Sequence, residues 1–168
     1  MYSKVKLLGH PVHPMLVSYP IAFYTATAVS WILFVTTSGG YIWVDVAIAA
    51  NVAGVIMAVV AAVPGFIDWS TGIPAGTAAK RHGTIHMSLN VLALVLMLVN
   101  AALHLDRWTM TIHPHSLSGF ILALAAVACT IVAGYFGWIM VQNDHVGVAF
   151  SAQDQPRLDP TGRETRRP

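Results

Sequence analysis

Four long apolar stretches, separated by short runs of polar residues, glycine and proline, organise the chain. The first runs from about Met15 to Thr37 and stops at Ser38-Gly39-Gly40. The second runs from about Ile42 to Phe66, where Pro64-Gly65 is expected to unwind the last turn. The third covers about Thr84 to Leu105 and the fourth about Leu117 to Val141. Each reaches the roughly 20 residues that a helix needs to cross about 30 Å of hydrocarbon. Within lipid a segment must satisfy its own backbone polar groups, so these are helices rather than strands. The pattern predicts an all-α, integral membrane four-helix bundle over residues 1–150. Residues 151–168 form a polar tail rich in Asp, Arg, Pro and Gln, expected to be solvated and flexible, with a docking segment as the alternative. The first stretch is too long for a signal-peptide core and is followed by no small-residue cleavage site.

Composition strengthens this picture and narrows the chemistry. The chain is 56% hydrophobic and 10% charged, with mean hydropathy +0.65, whereas soluble domains carry roughly 25% charged residues. The single cysteine, Cys129, rules out an internal disulfide, a CxxC redox pair and a four-cysteine zinc site. There is no Ser/His/Asp order, phosphate loop or pair of carboxylates within the apolar stretches, so an enzyme is the least supported class. No internal repeat stands out. The basic residues Lys4, Lys6, Lys80, Arg81, Arg157, Arg163, Arg166 and Arg167 fall before the first helix, in the second loop or in the tail; only Arg107 falls elsewhere. Basic loops stay cytoplasmic, which predicts an N-in, C-in topology.

That topology sorts the eight histidines. His10, His13, His82, His86 and His145 belong to one face, and His104, His113 and His115 to the other. The first group comes from three separate pieces of chain that an antiparallel bundle gathers at one end. Along the third helix, His82, His86, Asn90, Ala93, Met97, Asn100 and His104 share a face. Polar groups are costly in a bilayer, so this seam points inward. Small residues recur on helix two (Asn51, Gly54, Ala58, Ala61, Gly65) and helix four (Gly119, Ala123, Ala126, Thr130, Ala133, Gly137). Such seams serve close helix packing or leave room for a flat cofactor.

The most specific motif is Gly9-His10-Pro11-Val12-His13-Pro14. Each proline disfavours helix in the residue before it, so both histidines are expected to be extended, with helix one starting near Pro14. Rigid display of two imidazoles at a membrane face suits metal or haem ligation; capping helix ends and bonding carbonyls is the alternative. The second loop, Ile67 to Gly83, is expected to lie along the interface with Trp69 as an aromatic anchor.

The motif, continued by Met15-Leu16-Val17 and Pro20-Ile21, resembles a bacterial family of predicted four-helix membrane proteins, a domain of unknown function with a G-H-P-x-H-P signature. The similarity extends from about Leu8 to Phe150. It includes Arg81, His86 and Asn90, then Gly134, Gly137 and His145-Val146-Gly147-Val148, where Val146 replaces the family's usual glycine. The resemblance implies a multi-pass protein of the bacterial plasma (inner) membrane. Some members are joined to Rieske iron–sulfur domains, which implies membrane electron transfer and a redox partner or larger complex beside the lipid bilayer.

Three functions follow. The first is a b-type cytochrome-like electron carrier, with haem b held by His13 and His86. His10 and His145 are then substitute ligands or donors behind them, and Arg81 or Lys80 the partners of the propionates. The second is a divalent-metal site of His10, His13, His86 and His145, completed by Asp68 or Asp144. The third is a non-catalytic accessory subunit whose histidines stabilise helix ends. His113-Pro114-His115, after His104 and Asp106, could bind a transition metal, but a solvent-exposed loop is the plainer expectation.

Overall fold

The computed structural model describes residues 3–37, 40–107 and 117–148. A small hairpin comes first, β1 (Lys6–Leu7) pairing antiparallel with β2 (His10–Pro11). Its turn residues Leu8 and Gly9 both have positive φ, 51° and 83°. Two such residues make the turn whose twist suits a two-residue hairpin, and glycine takes it without strain. The hairpin is tied down by Asp68, whose Oδ1 accepts the N–H groups of Lys4 (2.6 Å) and Val5 (3.2 Å) while Oδ2 accepts the Ser3 hydroxyl (2.7 Å).

Five helices follow: α1 (Val12–Leu16), α2 (Ser18–Thr36), α3 (Ile42–Ile67), α4 (Ala78–His104) and α5 (Leu117–Gln142). With α1 counted into α2, they form four spans of 25 to 31 residues, long and apolar enough to cross a bilayer. The expected tail at 151–168, the loop with His113 and His115, and the Arg107 side chain lie outside the described residues.

Three boundaries differ from the sequence expectation. His10 is extended, but His13 is helical, in α1. The first-turn N–H groups of a helix have no partner anyway, so Pro14 costs no hydrogen bond there. Pro64 does not unwind its helix, which runs on to Ile67 and then through a π-helical turn, Asp68–Gly72. Spanning helices tolerate proline where neighbours restore the backbone bonds it disturbs; next to the Val60 carbonyl that Pro64 leaves without its N–H, the Ala61 carbonyl accepts from His13 at 2.8 Å. Finally, α4 begins at Ala78 rather than near Thr84, so the loop shrinks to Ile73–Thr77. Thr77 caps it, accepting the Lys80 N–H at 3.1 Å through its hydroxyl.

In the bundle α2 packs on α3 and α5, and α4 packs on the same two, so α2 and α4 stand across a diagonal. Of the inward seam expected on α4, Ala93, Met97, Asn100 and His104 are buried, while His82, His86 and Asn90 are half-buried. Trp31, Phe34 and Val44 fill one end of the core, and Tyr24, Ala93, Met97 and Ala126 fill its middle. Ile56, Val63, Val91 and Ile131 point outward, as lipid-facing positions should.

Candidate functional site

His13 and His86 meet inside the end of the bundle that carries the hairpin. Their ring centroids are 6.2 Å apart and their planes stand at 89°. The two imidazoles are held in the same way. His13 Nδ1–H donates to the Ala61 carbonyl of α3 at 2.8 Å, and His86 Nδ1–H donates to the Ala133 carbonyl of α5 at 2.8 Å. A carbonyl can only accept, so the hydrogen facing it sits on Nδ1. Such a second-nitrogen bond orients a ligating histidine and selects Nε2 as its donor atom.

Each ring also lies against a glycine one turn beyond its carbonyl. A Cβ at Gly65 would fall 2.6 Å from the His13 ring, and one at Gly137 would fall 3.2 Å from His86. The small seams of α3 and α5 therefore make room for imidazoles as well as for helices. Asn90 completes the site: its amide donates to the His86 carbonyl at 2.8 Å and approaches His86 Nε2 at 3.3 Å.

The other histidine-rich pieces serve different contacts. His10 is an exposed residue of β2, and His145 is exposed in the turn after α5, with φ 55°. Arg81 is exposed on the first turn of α4. Lys80 donates to the Trp69 carbonyl and stands 3.8 Å over the Trp69 ring, whose Nε1–H donates to Thr84 at 3.2 Å. Trp69 thus braces the start of α4. Asp68 is committed to the hairpin, and Asp144 accepts from His82 Nδ1 at 2.8 Å. That ion pair was not singled out from the sequence; nothing in the pattern places position 144 beside position 82. The chain reverses after α5, with the Val146 N–H on the Met140 carbonyl at 2.8 Å, and this returns Asp144 to α4.

At the opposite end His104 is buried and donates from Nδ1 to the Asn100 carbonyl of its own helix at 2.8 Å. Its ring centroid is 4.9 Å from that of Trp31. Asn100 donates to the Gly119 carbonyl at 3.1 Å, tying α4 to α5.

The donor sets discriminate between cofactors. Two imidazoles bound end-on to one metal, with bonds of roughly 2.0 Å, have centroids roughly 6 Å apart. The His13–His86 spacing suits that arrangement, and Ala61, Gly65, Ala133 and Gly137 flank it with minimal side chains. A four-ligand divalent site fits less well: among the described residues no group of three or more His, Cys, Asp or Glu could hold a metal ion. Cavities of about 190 and 410 Å³ lie beside Tyr24 and Gly134 and beside Val5 and Pro64. Neither is lined by His13 or His86.

Comparison with known proteins agrees with the membrane character of these spans. No curated protein and no solved structure matches the chain. Residues 9–150, from the hairpin glycine to beyond the last helix, match the model of one family, and the chain belongs to it: the predicted membrane proteins of DUF2231.

Proposed function

We propose that the protein is a membrane-embedded haem b carrier of electrons, with His13 and His86 as the residues that would hold the haem. The observation that carries this reading is the pair itself: two imidazoles from α1 and α4, 6.2 Å between centroids, each pinned through Nδ1 to a carbonyl of another helix. Haem iron, when bound, supplies reversible one-electron chemistry whose potential depends on its ligands and surroundings. The chain's own residues would hold the two Nε2 atoms in place through Ala61 and Ala133. Asn90 would release His86 Nε2 without losing its own bond, because the His86 carbonyl already accepts from it. Arg81, exposed at the same end, is the cation for the propionates; Lys80 is engaged by Trp69. The pair lies toward the end bearing Lys4, Lys6, Lys80 and Arg81, which the positive-inside rule assigns to the cytoplasm. This gives an N-in, C-in protein of the bacterial plasma membrane that exchanges electrons with a redox partner or larger complex.

The experiment is a spectrum. The protein, expressed with haem supplied and purified in mild detergent, is recorded oxidised and dithionite-reduced, with elemental analysis of the same sample. A Soret band that shifts on reduction and is lost in both His13→Ala and His86→Ala supports the proposal. Colourless protein with stoichiometric zinc or copper replaces haem with a metal ion. Colourless, metal-free protein leaves the imidazoles as ties between helices, the role of an accessory subunit.

A further inference from the structure

We infer that the protein is an internal dimer: two tandem copies of one helical hairpin, each the packing partner of the other. The imidazole pair is then one position seen twice. The inference corrects the expectation that the sequence holds no repeat. His13 and Ala61, which share a hydrogen bond, are 48 residues apart, and His86 and Ala133 are 47 apart. Around the two acceptors the chain reads Val60-Ala61, Gly65-Phe66-Ile67 in the first half and Val132-Ala133, Gly137-Trp138-Ile139 in the second.

The correspondence continues through the core. The shift that carries His13 onto His86 carries Pro20, Tyr24, Thr27 and Trp31 of α2 onto Ala93, Met97, Asn100 and His104 of α4. All eight are buried. The shift that carries Ala61 onto Ala133 carries Ala47, Asn51 and Gly54 of α3 onto Gly119, Ala123 and Ala126 of α5, and these too are all buried. A slip of one residue would turn a helix by about 100° and break the match. The helix contacts obey the same symmetry, since α2 with α3 repeats as α4 with α5.

The differences between the copies compensate in volume. Tyr24 lies against Gly54, where a Cβ would come 2.8 Å from its ring; the counterpart pair is the smaller Met97 with the larger Ala126. Trp31 lies against Gly119, where a Cβ would come 2.4 Å from its ring; the counterpart pair is His104 with Ala47. In both cases the pair with the bulkier ring is the one that has the glycine. Trp31 and His104 therefore form a second pair across the same pseudo-twofold relation, at the other end of the bundle.

The test exchanges residues between copies in the full chain and reads the thermal midpoint in detergent. Tyr24→Met with Met97→Tyr alone should lower the midpoint by about 5 °C, because the new tyrosine meets the Ala126 methyl. Adding Gly54→Ala and Ala126→Gly moves the cleft with the ring and should bring the midpoint back to within about 2 °C of wild type. The same cycle at the other end uses Trp31→His and His104→Trp, then Ala47→Gly and Gly119→Ala. Recovery in either four-residue exchange supports the internal dimer. If neither regains what its two-residue exchange lost, or if both fail to fold, the two copies are not equivalent and the inference is overturned. No imidazole of the His13–His86 pair is changed, so the outcome does not depend on whether haem binds.

Discussion

The two ends of the bundle treat an aromatic pair in opposite ways: His13 and His86 are half-buried, Trp31 and His104 fully buried. At one end His13 and His86 donate to carbonyls of neighbouring helices, so each bond joins two elements and fixes a ring between them. At the other, His104 donates within its own helix and the space around it is filled by the Trp31 indole. The first end spends its polar contacts on orienting two nitrogen donors. The second uses an aromatic face and a cleft at Gly119 to join helices by packing. Where the hydrogen-bond partner lies, rather than how many histidines are present, separates the proposed site from the packed end.

Substitutions can break or sharpen this contrast. Trp31→Ala opens a cavity at the packing end and should cost about 3 kcal/mol, read as thermal stability in detergent, while leaving any Soret band in place. Gly65→Ala places a methyl where the His13 ring stands and should cost about 2 kcal/mol. Its distinguishing effect is on the proposed site, because the bond to Ala61 should be lost and any cofactor band with it. If Gly65→Ala lowers stability but keeps the band, His13 is not a ligand. Asn100→Ala removes one interhelical bond at the packing end and should cost about 1 kcal/mol or less without any spectral change. Asp144→Asn should have the smallest effect, about 0.5 kcal/mol and reduced further by salt, because the pair with His82 is partly solvated. A larger loss there would make the turn after α5 part of the site's framework.

Much of this was legible from residue order. Four apolar runs implied four spans, and spacing along α4 implied which face turns inward, because helical periodicity is a local property. The ends were harder. Ala78 to Gly83 is polar enough to look like loop, yet Thr77 starts a helix there; hydropathy marks the edge of the hydrocarbon, not the end of the hydrogen-bonded ladder. The duplication was also present in the chain, in Val-Ala and Gly-aromatic-Ile read twice, but few identities survive where only volume is conserved.

Sequence alone therefore determined the spans, the inward seams and the motif that brings imidazoles to the membrane, since each depends on neighbours three or four residues away. Only the tertiary structure decided that His13 faces His86 while His10 stays exposed in β2. Only it decided that Asp68 ties down the hairpin and that Asp144 returns to His82. Those contacts join residues 62 to 65 positions apart, and their geometry follows from how helices pack across the bundle, which no local pattern records.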